Sequence, residues 1–406
     1  MGQPTVVDAD VCVVGAGVVG LAHAFEARRR GLEVVVLERE ARAVGASVRN
    51  FGHGFISAMA DGEPLDCALE GRRRWLELGR EAGLEVLESG SLVLARHEDE
   101  LEVLAGVARD ERRGARLIGP EEISKLAPIP TEGVLGALHA TLDVRVDPRA
   151  AVARLAALLE QDPGARIIWR APVKAVHAGL VETDQAVVRA PLTVICPGPD
   201  YATLPAELRP RHPGLTLCRL QMLRVSTPGA RRYVPALLTG LSLLRYPAFS
   251  AQPGFERVRL RIEAERPEMI AAGIHLIVTQ LPGGDLILGD THDYADTPAP
   301  FACERLDLLV LAEACRLLGV DTLHVRERWQ GVYPYAAGNP FLITDPLPGV
   351  RVVEVVAGVG MTTALGLAPR VLAELLSGRP SAPARMPAAP AAMPHRSVAA
   401  HADYGS

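Results

Sequence analysis

The chain has no excess of positive charge. Its 43 lysine and arginine residues are outnumbered by 48 aspartate and glutamate residues, and the formal net charge is −5. A general nucleic-acid binder needs surplus cations to neutralise phosphates, so we expect no nucleic-acid partner. No apolar run is long enough to span a bilayer. An opening that contains Asp8 and Asp10 does not suit a secretory signal, so these absences predict a cytoplasmic protein without a membrane span.

The cysteines are scattered and form no CxxC pair. Their spacing does not indicate a disulfide framework, and we expect reduced thiols. We also predict no metal site. The six cysteines are Cys12, Cys67, Cys196, Cys218, Cys303 and Cys315.

The segment Ala9–Glu40, which reads ADVCVVGAGVVGLAHAFEARRRGLEVVVLERE, carries the first positive signal. Its apolar run Val11–Val14 predicts a buried parallel strand. GAGVVG follows at once, then apolar residues at helical spacing, and then EVVVLE, which predicts a second strand. This order predicts a βαβ unit that binds a dinucleotide. A chain of 406 residues leaves room for a second domain.

Each glycine of this unit has a physical role. Gly15 permits the tight turn, Gly17 lets the backbone approach a pyrophosphate, and Gly20 lets the helix and strand pack closely. Glu38 is placed to accept hydrogen bonds from ribose hydroxyls. The predicted contacts with the dinucleotide come from Gly15, Ala16, Gly17, Val18, Val19, Gly20, Glu38 and Arg39. The unit suits NAD and FAD alike, so an NAD-dependent dehydrogenase stays open at this point.

Four later stretches agree with one family in order and spacing. They are REARAVGASVRNFGHGFIS after Glu38, then VDPRAAVARLAALL, then APVKAVHAGLVETDQAVVRAPLTVICPG, and finally GVRVVEVVAGVGMTTALGLAPRVLAELLSG. On these motifs the chain resembles, as far as about Gly378, the D-amino-acid oxidase superfamily of FAD-dependent amine oxidases. Glycine oxidase and monomeric sarcosine oxidase belong to that superfamily.

The resemblance implies an α/β fold with two domains. A discontinuous Rossmann-type FAD-binding domain, like that of glutathione reductase, is expected from residues 1–85, 140–205 and 325–380. A substrate domain with a mixed, largely antiparallel β-sheet is expected from residues 86–139 and 206–324. In the latter, ERVRLRIEA, GIHLIVTQLP and DLILGDTHDY contain β-like runs. The Pro/Ala-rich residues 381–406 are expected to form a mobile tail.

The resemblance also implies which residues contact FAD. A loop beneath the flavin ring, a backbone contact with adenine and a closing glycine turn are expected. In the closing motif, Val352–Val356 predicts a strand, and Thr362 or Thr363 can cap the following helix. A helix start near the flavin would favour the negative charge of the reduced ring. The residues concerned are Ala46, Ser47, Arg49, Asn50, Phe51, Gly52, His53, Val173, Gly198, Gly358, Val359, Gly360, Met361, Thr362 and Thr363.

One position departs from the family pattern. In glycine and D-amino-acid oxidases, an arginine within W-x-G-x-R-P grips the substrate carboxylate. This chain reads WQGVYP, Trp329–Pro334, with Tyr333 in the place of the arginine. Monomeric sarcosine oxidase attaches its flavin through a cysteine in the same region. Because Cys303 and Cys315 both precede it, we expect non-covalent FAD.

The run SVRNFGHG also resembles a branch of the superfamily that is associated with phosphonate breakdown. That branch implies 2-aminoethylphosphonate or its N-methyl derivative as the small anionic amine. The residues expected to act in catalysis are His53, Arg49 and Tyr333, and those expected to bind substrate are Arg245, Tyr246, His292 and Tyr335. For each there is a plainer alternative: a residue of the cofactor loop, a strand residue facing solvent, a surface turn or a packing contact.

The expected reaction is oxidation of a C–N bond by hydride transfer to flavin. The resulting imine is hydrolysed to an aldehyde and an amine, and dioxygen is the expected electron acceptor. Within the enzyme class, the alternative is an oxidase or dehydrogenase for glycine, sarcosine or a D-amino acid. From another class, a flavin-binding subunit of a heteromeric amine dehydrogenase stays open. The sequence leaves open the amine itself, the acceptor and whether the chain forms a homo-oligomer.

Overall fold

The computed structural model describes residues 4–229 and 231–378. The chain divides into two compact units. The first unit comprises the described residues up to Gly90, Leu142–Leu215 and those from Tyr333 onward. The second unit comprises Ser91–Thr141 and Thr216–Val332. The expected tail, residues 381–406, lies outside the described residues.

Both units contain β-strands and α-helices. The strands are β1 Thr5–Asp8, β2 Val11–Val14, β3 Val34–Leu37, β4 His53–Gly54, β5 Ser91–Ala95, β6 Ala115–Ile118, β7 Gly136–Ala140, β8 Val144–Arg145, β9 Ala165–Ile168, β10 Val173–His177, β11 Leu180–Thr183, β12 Ala186–Arg189, β13 Leu192–Ile195, β14 Thr216–Ser226, β15 Ala236–Leu238, β16 Ile277–Gln280, β17 Leu286–Gly289, β18 Asp293–Ala295, β19 His324–Tyr335, β20 Phe341–Leu347 and β21 Val350–Val355. The α-helices are α1 Val18–Arg29, α2 Glu63–Glu81, α3 Glu98–Ala108, α4 Pro120–Leu126, α5 Pro148–Glu160, α6 Pro247–Ser250, α7 Phe255–Glu265, α8 Pro267–Ala271, α9 Glu304–Leu318 and α10 Gly360–Leu376.

A six-stranded sheet forms the centre of the first unit. Its strand order is β20-β21-β13-β2-β3-β9, and every neighbouring pair is parallel except β20 and β21. The register sets Val14 opposite both Leu37 and Ile195. The carboxyl ends of β2, β3 and β13 therefore meet along one edge, which is where open α/β sheets bind ligands.

A smaller sheet covers part of this central sheet. It has the order β1-β12-β11-β10. Its buried residues Val181 and Val188 share one hydrophobic cluster with Cys12, Ile195 and Val352 of the central strands. Burial of this apolar face stabilises the unit, and it fixes the hairpin that carries Val173, the residue expected near adenine.

Helices α2 and α10 approach each other through glycines. A Cβ on Gly71 would lie 2.5 Å from the Thr362 carbonyl oxygen, and a Cβ on Gly366 would lie 2.0 Å from the Cys67 carbonyl oxygen. The Trp75 indole donates a hydrogen bond of 2.7 Å to the Met361 carbonyl in the first turn of α10. The start of α10 is therefore held by the backbone and the tryptophan of α2.

The second unit is built on a nine-stranded sheet. The order is β18-β14-β17-β16-β15-β5-β7-β6, and β19 pairs with β14. The β5–β15 pair is parallel, whereas the pairs of β14 with β17 and β18, of β16 with β15 and β17, and of β7 with β5 and β6 are antiparallel. The predicted fold class, α/β with a mixed, largely antiparallel second sheet, is confirmed.

One predicted β-run is wrong. ERVRLRIEA lies within helix α7 and is not a strand. Its apolar residues alternate over a short run, which satisfies a strand period, but Val258 and Ile262 also stand four apart and are buried, while Leu260 is 53% exposed. Arg259 pairs with Glu256 and Glu263, contacts at helical spacing that favour the helix.

None of the helices within residues 4–229 and 231–378 is long and apolar enough to cross a membrane. In the same ranges all six cysteines are free thiols. Burial raises the pKa of Cys12, Cys67 and Cys196. These three thiols therefore stay protonated and unreactive at neutral pH.

Gly366→Ala should destabilise the first unit. Alanine is normally more favourable than glycine in a helix interior. Here, however, its Cβ would meet the Cys67 backbone carbonyl of α2, which is fixed in that helix. We expect a loss of about 1–3 kcal/mol in the free energy of unfolding, measured by urea denaturation of the apoprotein. Gly45→Ala is the matched control, because nothing lies within 4 Å of its Cβ position. Equal stability of the two variants would contradict the packing argument.

Candidate functional site

The turn between β2 and α1 leaves no room for side chains. Gly15 has a φ of +102°, and its Cβ would lie 2.5 Å from the Cys196 carbonyl oxygen. A Cβ on Gly20 would lie 1.8 Å from the Gly15 carbonyl oxygen. Gly17 is the N-cap of α1 and gives the helix no side-chain cap. Gly17 therefore leaves the electropositive end of α1 without a cap of its own, and such a helix end is of the kind that binds phosphates.

Two acceptors from elsewhere in the chain meet this turn. Glu38 Oε2 accepts from the Ala16 backbone N–H at 2.8 Å, and Ser47 Oγ accepts from the Val18 N–H at 2.9 Å. Glu38 Oε1 also accepts from the Glu40 N–H at 3.0 Å. A carboxylate offers about four acceptor positions, so Glu38 keeps capacity for ribose hydroxyls. The loop that carries Ser47 is tied to the glycine turn.

Asn50 holds the loop that follows β3. Its side-chain amide donates to the carbonyls of Ala46 and Ser47, at 2.9 and 3.0 Å, and its oxygen accepts from the Gly52 N–H at 2.7 Å. Gly52 has a φ of +66°, and a Cβ there would lie 1.9 Å from the Val146 carbonyl oxygen. Asn50 and Gly52 therefore shape the loop, with Phe51 buried between them.

His53 is a buried histidine in strand β4. Its ring stacks on Phe55 with a centroid separation of 4.8 Å, and its backbone is in register with Arg145 of β8. Both ring nitrogens are buried and make no hydrogen bond within the protein. Burial, reinforced by the Arg145 cation, lowers the pKa of His53 to about 3. The side chain is thus a neutral polar group whose donor and acceptor a ligand would satisfy.

The closing turn follows β21. Gly358 has a φ of +72°, and its Cβ would lie 3.1 Å from Cζ of Tyr333, which is buried. The N-cap of α10 is Val359, which provides no side-chain hydrogen bond.

The predicted capping by Thr362 or Thr363 is wrong. Thr363 Oγ1 donates back to the Val359 carbonyl, and Thr362 Oγ1 accepts from the Phe55 N–H at 3.1 Å. The helix begins three residues earlier than a Thr362 cap requires and four earlier than a Thr363 cap requires, so the two hydroxyls lie inside its first turn. The N–H groups at the start of α10 therefore have no threonine cap.

The remaining predicted flavin residues lie at different places in the first unit. Val173 is the half-buried first residue of β10, and Gly198 begins a 3-10 segment after β13 with a φ of +57°. Arg39 is exposed and pairs with Asp200 at 2.7 Å. Arg49 is exposed at the end of the 3-10 segment Ala46–Val48. Tyr335, which was expected to bind substrate rather than flavin, is the half-buried last residue of β19.

In the second unit, a cluster of polar side chains surrounds His292. We call Arg245, Tyr246, His275, Asp290 and His292 the histidine cluster. Arg245 Nε donates to His292 Nε2 at 3.2 Å, and His292 Nδ1 lies 2.9 Å from the Gly273 carbonyl oxygen. His275 Nε2 lies 2.9 Å from Asp290 Oδ1. The ring of Tyr246 meets that of His275 edge-on at 5.5 Å.

The charges of the histidine cluster follow from its burial. Burial lowers the pKa of His292 to about 3, because the opposing effect of Asp290 is weaker and Arg245 adds to the lowering. Burial works against ionisation of Asp290, yet its neighbours His275 and Arg245 hold its pKa below the ordinary value. The cluster therefore holds a neutral His292, a carboxylate and a guanidinium.

Sequence reasoning placed only part of this cluster. Arg245, Tyr246 and His292 were expected to bind substrate, and the structure brings these three together. The alternative of a surface turn for His292 is wrong, since its side chain is 4% exposed. His275 and Asp290 were missed. The sequence does place His275 just before the buried apolar strand β16 and Asp290 directly after the buried apolar strand β17. Only the antiparallel pairing of these strands in the sheet shows that the two side chains come together.

Comparisons with known proteins identify the family. Residues 10–375 match the DAO family, described as FAD dependent oxidoreductase, and the chain belongs to this family. The family is FAD-dependent, which decides between the two cofactors that the glycine turn left open. The predicted superfamily is therefore confirmed, whereas the phosphonate branch stays a prediction.

Individual relatives are distant. The chain is 30% identical over 139 residues to a glycerol 3-phosphate dehydrogenase of Caloramator mitchellensis, an alignment that spans 32% of this chain and 29% of that protein. The L-proline dehydrogenase of P. horikoshii has a TM-score of 0.74 and 18% identity over 95% of this chain and 96% of that one. Glycine oxidase from Geobacillus kaustophilus has a TM-score of 0.72 and 20% identity over 93% and 96%. At these identities the two solved structures show a shared fold.

The first unit fits FAD. The electropositive start of α1 suits the pyrophosphate, and Glu38 keeps acceptor positions for a ribose. The buried ring of His53 leaves a donor and an acceptor to be satisfied beside the loop expected under the flavin. The uncapped start of α10 suits the negative charge of a reduced flavin ring.

Gly15→Ala should abolish flavin retention. The new Cβ would strike the Cys196 carbonyl at the point where β2, β13 and α1 meet. Gly31→Ala is the matched control, because Gly31 also has a positive φ, of +76°, but nothing lies within 4 Å of its Cβ. The visible flavin absorbance of each purified protein, relative to its protein absorbance, measures retention. Flavin retained equally by both variants would contradict the assignment of this turn.

His53→Gln should reduce sensitivity to acid. The unfolded chain protonates this histidine near pH 6.5 and the folded chain only near pH 3, so the unfolded state binds the extra proton between these values. His53 thus contributes stability at neutral pH that is lost as the pH falls from 6.5 toward 3. We expect the variant to lose less stability than the parent between about pH 7 and pH 4.5, measured by denaturant unfolding. The exposed His177→Gln should leave the slope unchanged, and equal slopes for all three proteins would refute the prediction.

Proposed function

We propose that this FAD-dependent oxidoreductase is an amine oxidase for a small anionic amine. The best candidate is 2-aminoethylphosphonate or its N-methyl derivative, oxidised at the C–N bond to an imine that water hydrolyses. Bound FAD would supply the hydride acceptor. We propose dioxygen as the final electron acceptor and a non-covalent flavin.

The observation that carries this proposal is the setting of Tyr333. At this place glycine and D-amino-acid oxidases hold the arginine that grips a carboxylate. Here a neutral phenol packs against Gly358 of the closing turn. A phenol cannot form the paired, charge-assisted hydrogen bonds of an arginine with a carboxylate. The usual amino-carboxylate substrate therefore loses its anchor at this position.

Arg245 is the cation that we assign to the substrate anion. Its Nε is bonded to His292, and its guanidinium lies 6.0 Å from the centre of the Tyr246 ring. A neutral His292 leaves the guanidinium charge in place. A phosphonate has three acceptor oxygens and up to two negative charges, so a fixed guanidinium is a chemically suited partner.

The first unit would supply the chemistry of the amine. The amine must lose its proton before hydride can leave the adjacent carbon, and a dry environment lowers its pKa. His53 is buried and neutral, so it can accept a hydrogen bond from an amine without adding a charge. We assign His53, Arg49 and Tyr333 to alignment of the reacting group, and Tyr335 to substrate binding.

A second candidate substrate comes from the similarity to the glycerol 3-phosphate dehydrogenase of Caloramator mitchellensis. Glycerol 3-phosphate, which that protein's name gives as substrate, carries a phosphate and an oxidisable C–O bond. The chain matches 29% of that relative, and a phosphate would suit Arg245 as well as a phosphonate does. An amino-carboxylate oxidase of the glycine or sarcosine type and a non-catalytic flavin subunit are the further alternatives.

A substrate panel tests the proposal. The holoenzyme is mixed anaerobically with 2-aminoethylphosphonate, its N-methyl derivative, glycine, sarcosine, D-alanine or glycerol 3-phosphate, and flavin bleaching is followed. We expect the fastest reduction with one of the two phosphonates, and peroxide on admission of air. Preferred bleaching by an amino carboxylate or glycerol 3-phosphate would overturn the substrate assignment. Persistent oxidised flavin with all six would favour the subunit.

Tyr333→Arg should shift the enzyme toward amino carboxylates. The variant restores the cation that the family uses for a carboxylate, so kcat/KM for glycine relative to 2-aminoethylphosphonate should rise by about tenfold or more, as expected for one charge-assisted pair. Tyr333→Phe removes only the hydroxyl and is the control for packing against Gly358. An unchanged ratio in the arginine variant would count against the place we give Tyr333.

A further inference from the structure

We propose that His292 is a positioning residue that fixes the Arg245 guanidinium for the substrate anion. Through the Arg245 Nε–H, the neutral ring would set the plane in which the terminal guanidinium nitrogens meet a phosphonate or phosphate. This inference rests on the proposed function, which assigns the anion to Arg245. It adds His292, which would act on the substrate through Arg245.

The tautomer of His292 is determined by its neighbours. A guanidinium can only donate, so His292 Nε2, 3.2 Å from Arg245 Nε, must be the acceptor. The ring proton of a neutral imidazole therefore lies on Nδ1, which is 2.9 Å from the Gly273 carbonyl oxygen and donates to it. Both ring nitrogens are thus engaged, one with the backbone and one with the arginine. The ring has a single orientation that satisfies both contacts.

The backbone around Gly273 enforces this orientation. Gly273 has a φ of +59°, and its Cβ would lie 2.6 Å from the His292 carbonyl oxygen and 2.9 Å from His292 Cβ. The His292 N–H donates to the Ala272 carbonyl at 3.3 Å. The two segments therefore pack with no side chain between them. The carbonyl that receives the Nδ1 proton is part of a fixed turn.

Asp290 and His275 form the second side of the histidine cluster. The Asp290 N–H donates to the His275 carbonyl at 3.0 Å, which holds the carboxylate 2.9 Å from His275 Nε2. Asp290 Oδ2 lies 3.9 Å from His292 Nε2, too far for a hydrogen bond. Asp290 therefore does not compete with Arg245 for the His292 ring. The rings of His275 and His292 are 5.0 Å apart, so His275 packs beside the positioning residue.

A divalent metal is the rival use of these side chains. His275, Asp290 and His292 each offer a ligand atom, and these atoms lie within 4.8 Å of one another. However, His292 Nε2 already accepts from Arg245 and His292 Nδ1 donates to the Gly273 carbonyl, so both ring nitrogens that a metal could use are engaged. The arrangement favours an anion held by an oriented arginine.

Four variants of the holoenzyme test the inference. Arg245→Met removes the cation, His292→Leu removes the acceptor, and His292→Gln supplies an amide oxygen that can accept from Arg245. His139→Leu is the control, at a half-buried histidine on β7 of the same sheet. Each protein is titrated with inorganic phosphate by calorimetry. Its kcat and KM are measured with 2-aminoethylphosphonate and with propylamine, which has no anion.

We expect His292→Leu to weaken phosphate binding and raise KM for the phosphonate by about tenfold, as for loss of one hydrogen bond to a charged group, with kcat within about twofold. His292→Gln should recover most of the phosphate affinity. Arg245→Met should lose more phosphate affinity than His292→Leu does, because it removes the cation itself. Oxidation of propylamine should fall by a smaller factor than oxidation of the phosphonate in His292→Leu, and His139→Leu should match the parent with both amines.

The outcomes separate this inference from the proposed function. If Arg245→Met loses phosphonate affinity while His292→Leu keeps it, the positioning role is wrong and the substrate assignment stands. If the parent binds no phosphate and does not oxidise the phosphonate, both fail. A loss of flavin and of activity with both amines in His292→Leu would indicate a merely structural role. Stoichiometric metal in the parent that disappears in His292→Leu would replace the inference with a metal site.

Discussion

The structure depends on the close approach of backbone at the glycine turn. The Cβ positions of Gly15 and Gly20 are filled by carbonyl oxygens of Cys196 and Gly15, so β2, β13 and α1 converge without side chains between them. Once this approach is made, Glu38 and Ser47 can reach the N–H groups of the turn. The start of α1, Glu38 and the loop that carries Ser47 thus share one geometric origin. A side chain at Gly15 or Gly20 would push β2, β13 and α1 apart.

The parts that the sequence predicted well are those fixed by short-range rules. Val11–Val14 is a strand as expected, because a brief apolar run before a glycine-rich turn is typical of a buried parallel strand. The stretch VDPRAAVARLAALL, which was recognised by family resemblance, contains the helix Pro148–Glu160, and this helix begins where Asp147 caps two N–H groups. In both cases the deciding interactions lie within a few residues of each other.

The parts that escaped prediction depend on distant partners. The apolar residues of ERVRLRIEA fit both the two-residue period of a strand and the spacing of a helix. The burial of Val258 and Ile262 and the ion pairs of Arg259 favour the helix. His275 and Asp290 belong to the candidate site because β16 pairs with β17, a pairing that spacing alone does not specify. Thr362 was misread as a cap because its hydroxyl serves Phe55, 307 residues before it in sequence.

The central sheet of the first unit has a consequence for biosynthesis. Its strands come from widely separated parts of the chain, and β21, which lies between β20 and β13, is synthesised after β2, β3, β9 and β13. Until then β13 is an unpaired edge, open to wrong association with other chains. The closing turn at Gly358 and helix α10 do not yet exist at that stage. A flavin site that includes this closing turn would therefore be complete only after β21 and the start of α10 have been synthesised.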